Sequence, residues 1–111
     1  MLKHFIVAAS ALATMSLTAE ANSLDERQTY QYGRIEQGRQ DGSITWREGL
    51  RLRAEQRHIA RMKEYLEDGH GRLSRSNARA VRSLQNDASE DIEVAKENSR
   101  YRPSWLPRVG K

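Results

Sequence analysis

A short turn is written twice in this chain, as Asp41-Gly42-Ser43-Ile44-Thr45 and His70-Gly71-Arg72-Leu73-Ser74, with its two glycines 29 positions apart. Each copy reads glycine, spacer, aliphatic residue, hydroxyl. Glycine adopts positive φ without steric cost, and a hydroxyl accepts a hydrogen bond from the free amides that open a helix. Each copy is therefore read as the stop of one helix and the capped start of the next. A chain punctuated this way, with polar helix-forming residues on either side, is predicted to be all-α.

The second turn joins two helices, expected over about 46–67 and 75–97, as an antiparallel hairpin. Thr45 with Glu48 at the third helical position forms a capping box for the first of them, and Ser74 caps the other. Leu52, Ile59, Met62 and Leu66 share one face of the former, and Val81, Leu84, Ala88, Ile92 and Ala95 form one stripe of the latter. A weaker N-terminal helix is expected over about 24–37, opened by a capping box at Ser23 and Glu26 and broken by Gly38 to Ser43. It is poor in aliphatic residues, with Leu24 and Ile35 beside Tyr30 and Tyr32, so it is expected to pack weakly. Reflecting the chain about Gly71 sets Glu67 near Arg75, Glu64 near Arg79 and Arg51 near Glu90 and Asp91. Those pairs would favour one register of the hairpin.

The chain begins with Lys3 and His4 before an apolar stretch from Phe5 to Leu17, followed by Ala19-Glu20-Ala21. This is the pattern of a secretory signal peptide, residues 1–21, cleaved near Ala21. The stretch is short of the roughly 20 apolar residues a membrane-spanning helix needs, and no second such run follows. The expected product is periplasmic or secreted, with one small helical domain over 22–98. Cysteine is absent, so no disulfide supports it. From 99 to 111 the composition changes to arginines, aromatics and two prolines, which is read as an extended basic tail.

Several chemistries can be weighed against these residues. If Gly42 is the sixth position of a degenerate EF-hand loop, Glu48 falls at the twelfth, where a bidentate carboxylate belongs. Gln37 and Arg39 occupy the first and third positions, and a guanidinium cannot serve as an oxygen ligand. In the second copy Leu66 and Asn77 stand at the first and twelfth positions, leaving Asp68. A calcium or zinc sensor or buffer using Asp41, Glu48 and Asp68 is the alternative reading, whereas helix capping explains glycine, aliphatic and hydroxyl without an ion. Glu55-Gln56-Arg57-His58 has the Glu-x-x-His spacing of di-iron bundles but occurs once, and His70 lacks a neighbouring ligand. There is no cysteine nucleophile, no Gly-x-Ser-x-Gly elbow, no phosphate-binding glycine loop and no His-Glu-x-x-His motif. A non-enzymatic protein without a cofactor is expected.

Binding to an anionic partner is the preferred reading. Arg53, Arg57 and Arg61 recur at four-residue steps on one helix face, and arginine supplies 15 of the 19 basic residues. The tail adds Arg100, Tyr101, Arg102, Trp105 and Arg108, with Trp105 either free to dock or folded back on the hairpin. Acids of the first helix (Asp25, Glu26, Glu36) or of the third are the internal alternative for neutralising the stripe. After export, an acidic protein, a cell-wall polymer or lipid headgroups are the expected partners, and nucleic acid is not.

Arg34-Ile35-Glu36-Gln37-Gly38, Gly42-Ser43-Ile44-Thr45, Arg47-Glu48, Leu52-Arg53-Ala54-Glu55-Gln56 and Ile59, followed by Gly71-Arg72-Leu73-Ser74, resemble a group of small exported bacterial proteins. These are built from repeated helical hairpins with glycine, x, leucine or isoleucine, serine or threonine turns. The resemblance spans residues 34–92 and implies architecture; it carries no site residue over. Asn77, where the group has an acid after the cap, and the proline-aromatic tail depart from the pattern.

Overall fold

The computed structural model describes residues 2–101, with side chains from 19 to 100. The described residues are all-α: α1 (Leu2–Asp41), α2 (Trp46–Leu66), α3 (Arg75–Asn98) and a closing 3-10 turn, Ser99–Tyr101. Each of the three helices packs against both others. The last two lie within a residue or two of their sequence-derived bounds.

The first helix does not match its expected range of 24–37. It runs unbroken from Leu2 to Asp41, so Ser23 and Glu26 lie inside it and cap nothing. The physical reason is that no proline interrupts these residues and most are good helix formers. Gly33 and Gly38 remain helical, and the chain turns only at Gly42, where φ reaches 81°. Nor does α1 pack weakly. Ala21, Leu24, Gln31 and Ile35 are all buried.

The two turns act as plugs. In the first, Gly42 reverses the chain, the Ile44 amide donates to the Gly38 carbonyl at 3.0 Å, and the Ile44 side chain is fully buried. Gly38 permits that approach: a Cβ there would fall 2.6 Å from Ile44 Cγ1 and also collide with its Cδ1. Gly38 is thus a contact surface for the plug and not the helix breaker its composition implied. In the second turn Gly71 takes φ 70°, and Leu73 is fully buried. Ile44 joins Ile35, Leu52, Ile92 and Ala95 in one core cluster. Leu73 joins Ala21, Leu24, Ile59, Ala78, Val81 and Ala88 in the other.

A ring of glutamines separates the clusters. Gln85 donates to the Gln28 side-chain oxygen (3.3 Å), Gln28 to that of Gln56 (2.9 Å), Gln56 to that of Gln31 (3.0 Å), and Gln31 back to the backbone carbonyl of Gln85 (2.7 Å). Gln28 and Gln85 each also donate to a backbone carbonyl, those of Gln56 and Leu24, both at 2.8 Å. All three helices contribute, and Gln31, Gln56 and Gln85 are buried. Each bond contributes only about 1 kcal/mol net, but a buried amide left unpaired costs about 1–3 kcal/mol. A slip of one helix past another would unpair several at once, so the ring specifies register.

Candidate anion-binding face

Helix α2 buries Gly49, Leu52, Gln56, Ile59 and Lys63, which turns Arg53, Arg57 and Arg61 toward its outer side. Thr45 orients the helix through a complete capping box: its hydroxyl accepts from the Glu48 amide at 3.2 Å, and the Glu48 carboxylate accepts from the Thr45 amide at 2.8 Å. Trp46 and Leu50 extend the same face toward the first turn and are 48% and 43% exposed. The steps of four residues from Trp46 to Leu50 and three from Leu50 to Arg53 are readable in the sequence.

The three arginines do not have equal surroundings. Arg53 is held by Glu36 of α1, with Nε at 2.8 Å and Nη2 at 2.6 Å from the same carboxylate oxygen. Arg57 and Arg61 are exposed, and no acid pairs with either among the described residues. Arg57 stands at a cleft of about 170 Å³ between α1 and α2, with Gln28, Tyr32, Gln56 and Ala60 as its other walls. The exposed walls of the cleft are almost entirely apolar. Arg100 is exposed, and Tyr101 ends the 3-10 turn beyond α3. Arg102, Trp105 and Arg108 lie outside the described residues, as does the question of whether Trp105 folds back.

The expected cross-hairpin ion pairs do not form. Glu67 bonds Lys63 instead of Arg75, and neither Glu64 with Arg79 nor Arg51 with Glu90 or Asp91 is among the ion pairs of the described residues. A hairpin closed on itself would pair those charges, whereas α1 inserts its own. Asp25 reaches Lys63 (2.9 Å), Glu36 reaches Arg53, and Arg34 pairs with Glu93 of α3. Burial disfavours the Lys63 charge, yet its hydrogen bonds to Glu67 and Asp25 outweigh this and its pKa is raised.

One carboxyl is out of its usual range. Burial pushes Glu55 on α2 up to about 7, and a hydrogen bond to Asp91 and the negative charges of Asp91 and Asp87 on α3 add to the shift against the opposing pull of Arg51. One Glu55 oxygen is buried without a donor. Near neutrality Glu55 is therefore divided between its protonated and ionised forms, and its protonated form is the one that donates toward Asp91 across the α2–α3 seam.

The carboxylates of the metal alternative are engaged by the backbone. Asp41 accepts from the Ser43 amide at 2.8 Å, Glu48 closes the capping box, and Asp68 accepts from the amides of His70 (2.8 Å) and Arg72 (3.0 Å). The bonds from Arg72 and His70 hold the exposed Asp68 carboxyl below its ordinary pKa. Asp41 and Glu48 flank the Ile44 plug, Asp68 the Leu73 plug, so the three do not converge. Among the described residues no three His, Cys, Asp or Glu side chains gather into a metal-holding group. No described helix is long and apolar enough to cross a membrane.

No family model matches the chain, and no curated protein or solved structure matches it either.

Proposed function

We propose that this is a small exported, non-enzymatic binding or adaptor protein of the bacterial envelope that recognises an acidic partner through the outer face of α2. The observation carrying this reading is that Arg57 and Arg61, one turn apart, stand exposed with no acid paired to them among the described residues, while Trp46 and Leu50 are exposed on the same face. Like charges four residues apart weaken a helix when unpaired, and an anionic ligand relieves that repulsion. Arg53 contributes less, because Glu36 already occupies it. Export through the signal sequence at residues 1–21 leaves α1 with Leu24 as its first large core residue. The tail residues Arg100, Tyr101, Arg102, Trp105 and Arg108 are assigned as an auxiliary contact.

In this reading α2 runs antiparallel to α1 and α3. The succession of contacts supports it: Asp25 with Lys63, Gln28 with Gln56 and Glu36 with Arg53 run in opposite order along α1 and α2, while Glu20 with Arg82 and Arg34 with Glu93 run in the same order along α1 and α3. The test is sedimentation of the protein with anionic-lipid vesicles and with purified cell-wall polymer at low salt. Binding is expected to fall about tenfold in Arg57→Ala/Arg61→Ala and to vanish at high salt. Equal binding by parent and variant would remove the α2 face from the account.

A further inference from the structure

The acidic counterpart of the α2 face is present on the protein itself. Where α2 carries six basic and three acidic residues, the second half of α3 carries Asp87, Glu90, Asp91, Glu93 and Glu97 against Lys96. Asp87, Glu90, Val94 and Glu97 follow one another at steps of three, four and three residues, which places them on one helix face. All four are exposed, and no ion pair engages the three acids among the described residues.

The two faces match in register as well as in sign. Laid antiparallel, Leu50 opposes Val94 and Arg57 opposes Asp87, because each pair of positions is seven residues apart, or about 10 Å along the helix axis. Arg53 and Trp46 then fall near Glu90 and Glu97. The match cannot close within one chain. Arg53 and Arg57 lie on the α1 side of α2, against Glu36 and the Tyr32 cleft, whereas α3 meets α2 from the other side, where Glu55 faces Asp91.

We infer that the acidic partner of the α2 face is the Asp87–Glu97 face of α3 in a second copy of this chain. This rests on the reading of Arg57 and Arg61 as a recognition surface and names what Arg57 recognises; in the same register Arg61 falls opposite Ser83, at the edge of the contact. The contact is heterologous: each copy that offers its α2 face still presents a free α3 face, so assembly continues beyond a dimer unless a ring closes. Its polar contacts are few and solvent-exposed, which makes it weak, reversible and sensitive to salt.

Sedimentation equilibrium tests it with the full chain as exported and two folded-state controls. Between about 10 µM and about 500 µM at low salt the weight-average mass is expected to at least double, returning to the monomer value at high salt. Arg57→Ala/Arg61→Ala and Asp87→Ala/Glu90→Ala, each with parental helicity and melting temperature, are expected to be monomeric alone. Mixed, they retain one intact α2 face and one intact α3 face and are expected to form a complex capped at one to one. A monomeric parent throughout this range overturns the inference, as do association that neither variant weakens and a mixture that stays monomeric. Association seen only when the chain is cut after Tyr101 overturns it too, by assigning the face to the protein's own tail. A monomeric parent that still binds anionic vesicles through Arg57 and Arg61 ends self-recognition while leaving the proposed function standing.

Discussion

The turn between α1 and α2 and the turn between α2 and α3 seat the same kind of plug in different core clusters, yet they hold it by different means. At the first turn, Gly38 lets the Ile44 side chain press onto helical backbone, and Thr45 and Glu48 cap each other's amides. At the second, Ser74 caps the Asn77 amide at 3.2 Å without a reciprocal carboxylate, and Asp68 collects two turn amides and the Arg72 guanidinium instead. The apolar plug is therefore the common requirement, and the polar scaffold around it is interchangeable. That is why the turn can repeat while its acids, the residues a metal would need, differ between copies.

The largest effects should come from the plugs. Ile44→Ala and Leu73→Ala are each expected to cost about 3 kcal/mol in urea denaturation, and a loss below about 1 kcal/mol at either one would end the equivalence of the two ends. Gly38→Ala should cost about 2 kcal/mol, since the added Cβ meets a buried isoleucine. Gly69→Ala, which meets no atom within 4 Å, should stay within about 0.5 kcal/mol. Equal losses at the two glycines would mean that close approach at the first turn is not what distinguishes it. Thr45→Ala should cost about 1 kcal/mol and Ser74→Ala about half of that, measured by the same denaturation, because only the first cap is reciprocal.

A smaller effect lies on the α2–α3 seam, in the response of melting temperature to pH. The Glu55 carboxyl moves from 4.5 in the unfolded chain to about 7 in the fold. The stability it contributes is complete below the unfolded value and is lost as pH rises through about 7. Glu55→Gln keeps a donor toward Asp91 and removes the charge. The variant should be flatter than the parent between about pH 5 and 8 and should melt a few degrees higher at the alkaline end. Parallel profiles for the two proteins would show that Glu55 is already ionised at neutrality.

Legibility in the sequence followed the range of the interactions. The bounds of α2 and α3 were readable because Thr45, Ser74 and the two glycines act on amides a few residues away. The stripe of core residues on α3 was readable because Val81, Ala88, Ile92 and Ala95 are apolar and periodic. Gln56 and Gln85 lie on those same buried faces but carry no such signal, since an isolated glutamine looks solvated until three helices present its partners. The arginine stripe was visible as a pattern, while the inequality of its members was not. Glu36 reaches Arg53 only because α1 packs along α2.

The sequence by itself determined an all-α chain, two capped junctions and the faces of the last two helices, all through hydrogen bonds and periodicity that are local. Tertiary structure alone decided that α1 packs as a full partner, that Gly38 seats Ile44, that four glutamines close a ring, and that Arg57 and Arg61 have no acid beside them among the described residues. Each depends on atoms distant in the chain, where burial, and not residue type, sets whether a polar group is a solvated surface, a register key or a free charge.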